Sequence, residues 1–108
     1  MIKNLLKESP LMQSSYDRFL TTLKNQVRFT IVQALISKPK NVSQLTSELN
    51  IHQTTVSHGL RRLLDCGFVF VERNGKERIY SVNRKTIKPL IELMENHVNT
   101  YCKRCFKK

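Results

Sequence analysis

Between Asn41 and Val82 the chain reads as two short helices joined by a very tight turn and then a β-hairpin, a succession that few folds accommodate. Asn41 can cap a helix running from Val42 to Leu49, with Gln44 three residues on to reach back in a capping box. Asn50 suits its end, because asparagine tolerates the left-handed geometry common there. Only Ile51 and His52 remain as a turn before a second helix, from about Gln53 to Asp65, in which Val56, Leu60, Leu63 and Leu64 recur at i, i+4, i+7 and i+8. Gly67 closes it. Two strand-like runs follow, Phe68 to Arg73 and Lys76 to Val82, separated by Asn74-Gly75, a dipeptide whose residues both accept positive φ. They are expected to form a two-stranded wing.

The flanks are helical. Tyr16, Phe19, Leu20 and Leu23 form the apolar stripe of a first helix that Ser14 or Ser15 could cap. A second, from about Gln26 to Ser37, is apolar nearly all round and should be the buried centre, with Pro39 stopping it. A last helix starts near Thr86, since Pro89 in its first turn sacrifices no intrahelical bond, and carries a seam of Ile87, Leu90, Ile91, Met94, Val98 and Tyr101. The expected fold class is mainly α with a small β-hairpin, a winged helix-turn-helix in the order α1-α2-α3-α4-β-β-α5. Residues 1–13 then form an N-terminal extension, 14–101 the domain, and 102–108 a basic tail.

A length of 108 residues allows one compact core and no second domain of ordinary size. The net charge of +11 favours a polyanionic partner, nucleic acid or an anionic membrane surface. It is spread as +4 over residues 1–51, +4 over 52–85, −1 over 86–101 and +4 over 102–108. No stretch approaches a membrane span and the start does not read as an export signal, so a soluble protein with no membrane partner is expected. An odd number of cysteines, three, does not read as a secreted disulfide framework and fits the cytoplasm.

With its aliphatic residues inward, the helix from Gln53 to Asp65 presents an opposite face suited to DNA. Gln53, Thr54, Thr55, Ser57, His58 and Arg61 are the candidates for reading bases: arginine suits guanine, glutamine suits adenine, and threonine offers a methyl and a hydroxyl. Arg62, together with Arg73, Lys76 and Arg78 near the hairpin tip beside Asn74, is a candidate for the phosphate backbone or an adjacent minor groove. The bland alternative is a solvated helix and hairpin.

The run Val42-Ser43-Gln44-Leu45-Thr46 through Ile51-His52-Gln53-Thr54-Thr55-Val56-Ser57, then Leu60, Leu63, Gly67-Phe68-Val69, Gly75-Lys76 and Tyr80-Ser81-Val82, resembles the ArsR/SmtB family of winged-helix repressors. The resemblance covers about residues 15–101. It implies a homodimer joined through the first and last helices, with the fourth helix on operator DNA and the protein acting as a transcription regulator, a repressor. Three features depart from the pattern. His52 stands where a small capping residue is usual, and Gly59 where many members have histidine. A glycine inside a helix costs about 1 kcal/mol relative to alanine, so it suggests close approach to DNA or to a neighbour. The Cys-containing metal motif of the family's arsenic and cadmium sensors is replaced by Asn41-Val42-Ser43-Gln44-Leu45, which excludes that thiolate sensor.

Cys102 and Cys105 form a C-x-x-C among lysines and an arginine that favour thiolate. The pair could take a metal ion or arsenite with His97 or a symmetry-related group, close a reversible disulfide, or do neither. Cys66 reads as a small buried filler and His97 as a surface or interface residue. Glu92, Glu95 and His97 do not reproduce the ligand spacing of the family's zinc and nickel sensors. No nucleophile with an adjacent base, phosphate-cradling loop or HExxH appears, so no enzyme is expected. Two further classes of function remain open at this stage: a thiol redox- or metal-responsive regulator using Cys102 and Cys105, and a winged helix that binds RNA or protein.

Overall fold

A computed structural model describes residues 10–102, with side chains from Ser14 onward. Its elements are α1 (Pro10–Lys24), α2 (Gln26–Ser37), α3 (Val42–Leu49), α4 (Gln53–Asp65), β1 (Val69–Asn74), β2 (Glu77–Val82) and α5 (Ile87–Tyr101), the expected winged helix-turn-helix order. Helix α1 begins at Pro10, ahead of the serines that could have capped it, because proline at the first helical position loses no bond it could have made. Asn25 breaks α1 from α2: its backbone is extended and its side chain accepts from Arg28 N at 3.0 Å. The Arg28 guanidinium donates back to the carbonyls of Thr22 (3.1 Å) and Thr21 (3.2 Å), satisfying the open end of α1.

The helix-turn-helix forms by local bonding. Gln44 N donates to Asn41 Oδ1 at 2.7 Å and Asn41 N donates to Gln44 Oε1 at 2.8 Å, closing the expected capping box. Asn50 ends α3 in the left-handed region, with φ 55° and ψ 46°. His52 takes the capping role at α4, its Nδ1 accepting from Thr54 N at 3.2 Å. At the other end of α4, Phe68 N donates to Leu63 O (2.9 Å) and Gly67 N to Leu64 O (3.1 Å), the paired bonds of a Schellman motif. Gly67 supplies the positive φ, 74°, that this motif requires, and a Cβ there would meet no atom within 4 Å. Its replacement by alanine is therefore expected to cost only the backbone strain, about 1–2 kcal/mol, read as a lower urea midpoint with unchanged slope.

The hairpin differs from its sequence reading. Asn74 pairs with Glu77, so the two loop residues are Gly75 and Lys76, not Asn74 and Gly75. Gly75 has φ 70° and is the only residue of the turn in the positive region, the pattern of a type II′ turn, which needs glycine at its first central position alone. Arg73 consequently lies opposite Arg78.

Ile31, Val32 and Leu35 make α2 the centre of the core, against Leu45, Val56, Leu60, Leu63, Phe68, Val69, Tyr80, Val82, Ile87 and Ile91. Gly59 is also buried: a Cβ on it would lie 3.1 Å from Ile31 Cδ1, so the close approach is to α2. Lys40 pairs its backbone with Tyr80, which docks the start of the helix-turn-helix on β2. The buried Lys40 ammonium donates to Ala34 O at 2.6 Å and to Ser37 Oγ at 3.1 Å and pairs with Glu48 at 3.2 Å, so this charge is structural. Among the described residues no helix is long and apolar enough to cross a membrane.

Candidate nucleic-acid interface

Helix α4 buries Val56, Gly59, Leu60 and Leu63, which fixes its opposite side outward. Gln53, Thr54, Thr55, Ser57, His58 and Arg61 are all exposed there. Ser57, His58 and Arg61 line one wall of a groove of about 640 Å³, whose other walls are Lys76, Glu77, Arg78 and Tyr80 of the hairpin and Asn41, Val42 and Ser43 at the start of α3. Leu64 and Asp65 complete the lining. The tertiary fold thus brings together side chains from the start of α3, from α4 and from the wing.

The electrostatics of this side are unbalanced. The ion pairs among the described residues are Lys40–Glu48 and Lys88–Glu92, so Arg61, Arg73, Lys76 and Arg78 have no carboxylate partner. Arg73 and Arg78 stand directly opposite on the same face of the hairpin as Tyr80, and like charges so placed repel. A polyanion laid along this side would relieve that repulsion. Asp65 and Glu77 are the carboxylates in the groove, and Glu77 Oε2 accepts from Asn41 Nδ2 at 2.6 Å.

Arg62 is a correction to the sequence reading, which set it outward with Arg61. Its Nε donates to Thr22 Oγ1 at 2.9 Å, and the residue is half-buried against α1. The cause is Gly59, three residues earlier: because Gly59 is buried too, the inward stripe of α4 is wider than its aliphatic residues suggest, and Arg62 lies along its edge. Cys66, expected as filler, belongs to the same cluster. Its Sγ is 3.3 Å from the fully buried Thr22 Oγ1, which donates to Arg18 O at 2.7 Å. Burial pushes the Cys66 thiol up, but hydrogen bonds from Thr22, Arg62 and Arg18, with the Arg18 charge, outweigh it and leave the thiol below its ordinary value. Of the tail pair, Cys102 caps the end of α5 and is disulfide-bonded, while Cys105 lies outside the described residues. His97 stacks at 5.2 Å on Tyr101. Among the described residues no three His, Cys, Asp or Glu side chains cluster as a metal site.

The groove also takes in Asn41, Val42, Ser43, Leu64, Asp65, Glu77 and Tyr80, none of them a site candidate from the sequence. The signal for Asn41 and Ser43 was their place at the start of the first helix of a helix-turn-helix, the helix that crosses the phosphate backbone in DNA complexes of that motif.

A helix with an outward polar face, a shorter helix packed across it and a charged wing beside both define a winged helix-turn-helix. Residues 25–70 match the family described as bacterial regulatory protein, arsR family. Over 76 residues the chain is 30% identical to a probable mercury resistance operon repressor of Streptomyces lividans, covering 70% of this chain and 61% of that protein. It is 27% identical over 85 residues to an uncharacterized HTH-type transcriptional regulator of Methanocaldococcus jannaschii, covering 79% of this chain and 22% of the relative, so the chain spans less than two thirds of either. The fold matches the homodimeric winged helix-turn-helix DNA-binding domain of a possible ArsR-family regulator from Mycobacterium bovis, with a TM-score of 0.79, 20% identity and 88% of each chain covered.

Proposed function

We propose that this protein is a sequence-specific, double-stranded DNA-binding regulator of transcription, a repressor, acting in the cytoplasm as a homodimer and without catalysis. The observation that carries this reading is the groove in which Ser57, His58 and Arg61 of α4 meet the unpaired cations Lys76 and Arg78 of the wing. In it, α4 enters a major groove with Gln53, Thr54, Thr55, Ser57, His58 and Arg61 toward the bases, while Arg73, Lys76 and Arg78 follow the phosphates. Arg62 leaves the set of contacts and holds α4 against α1 instead.

Dimerisation through α1 and α5 is supported by apolar side chains that the single chain leaves uncovered: Tyr16 and Leu20 on α1, and Leu93 and Tyr101 on α5, the last two 67% and 73% exposed. A hollow beside Leu20 is lined by Leu23, Phe29 and Met94 together with the polar Asp17, Thr21, Lys24 and Gln26. The Mycobacterium bovis domain of the same fold is described as homodimeric and DNA-binding, and the Streptomyces relative as a repressor.

Selection of duplexes from a randomised pool tests the reading. Enrichment of a two-fold symmetric site, with half-sites about one helical turn apart, is expected, and a pool that stays random would overturn it. With the enriched duplex in hand, Arg73→Ala is expected to weaken binding alike on enriched and random DNA and to reduce the slope of log affinity against log salt by about 1. A change in sequence preference would instead place Arg73 at a base.

A further inference from the structure

The wing reaches far from the body that supports it. Only its base is anchored in the core, through Val69, Tyr80 and Val82, and every residue from Phe70 to Arg78 is exposed. Among the described residues, one side-chain bond ties that outer part to the helices: Asn41 Nδ2 donating to Glu77 Oε2 at 2.6 Å. Asn41 is at the same time the cap of α3, and its backbone neighbour Lys40 is paired with Tyr80 of β2. Glu77 itself is flanked in sequence by the cations Lys76 and Arg78.

We infer that Glu77 is a positioning residue for DNA recognition: through Asn41 it fixes the wing tip against the helix-turn-helix and so holds Lys76 and Arg78 at a set distance from α4. This rests on the DNA-binding reading and deepens it. It runs against simple electrostatics, since a carboxylate facing a polyanion repels it and its removal would raise the net charge above +11. Charge alone therefore calls for tighter binding when Glu77 is lost, whereas the tie calls for weaker binding.

Four proteins separate the two: Glu77→Ala removes charge and tie, Glu77→Gln removes the charge but leaves a carbonyl that can accept from Asn41, and Asn41→Ser keeps the helix cap and the net charge but is too short to reach Glu77. The fourth combines Glu77→Ala with Asn41→Ser. Affinities are measured on the duplex enriched by the wild-type chain and on a random duplex of equal length, with thermal unfolding followed for each protein. Glu77→Ala and Asn41→Ser are each expected to lose about fivefold on the enriched duplex, the equivalent of one ordinary hydrogen bond. The double variant should lose no more than either, and Glu77→Gln should bind at least as tightly as the wild type. On the random duplex, Glu77→Ala should show no loss. Tighter binding by Glu77→Ala on the enriched site, or additive losses in the double variant, would overturn the inference while leaving DNA binding intact. A wild-type chain that prefers no duplex would overturn both.

Discussion

Replacing Phe68 by alanine is expected to cost the fold about 3–5 kcal/mol, much of the stability a small domain possesses. Phe68 is the largest of the fully buried side chains. Its ring meets Phe19 of α1 at 5.0 Å between centroids, tilted by 36°. Its backbone N–H closes the Schellman motif of α4, and its carbonyl accepts from Asn83 N at 2.9 Å on the way to α5. The side chain thus fills the junction of α1, α4 and the base of the wing. Alanine would leave a cavity bounded by three elements that are each held elsewhere and cannot close in on it. Chemical denaturation measures the loss. A cost below about 1 kcal/mol would show that the junction repacks freely.

Arg61→Ala is expected to weaken binding to the enriched duplex by about 1–3 kcal/mol, and to random duplex by much less. Arg61 is exposed on the outer side of α4, lines the groove shared with the wing and has no carboxylate partner, so its guanidinium is free for a paired contact to guanine. Its neighbour Arg62 is the internal control. Because Arg62 donates to Thr22, its replacement should lower stability before it alters sequence preference. Equal losses for Arg61→Ala on both duplexes would reassign that residue to phosphate.

What was legible in the sequence is what short-range chemistry decides. The Asn41–Gln44 box, the left-handed Asn50 and the closing Gly67 each depend on residues within a few positions, and each is present as expected. The exposure of the reading side of α4 followed from its aliphatic spacing. The failures all involve partners distant in the chain or choices between near-equal local solutions. Asn74-Gly75 and Gly75-Lys76 can both form a two-residue turn, and the strand pairing that puts Val69 beside Val82 in the core selects the second. Arg62 could not be placed without knowing that Gly59 packs on Ile31, and Cys66 could not be linked to Thr22, 44 positions earlier. The Asn41–Glu77 bond spans 36 positions and left no trace in spacing or composition.

Thr22 sits within one bond of Arg62 and within reach of Cys66, at the far end of the reading helix, while its own backbone carbonyl is gripped by Arg28. The first and fourth helices are therefore pinned like the arms of a caliper at its rivet. In a symmetric pair of chains, the stride between the two reading helices would be set by how the first helices seat against each other, not by the pliancy of any loop.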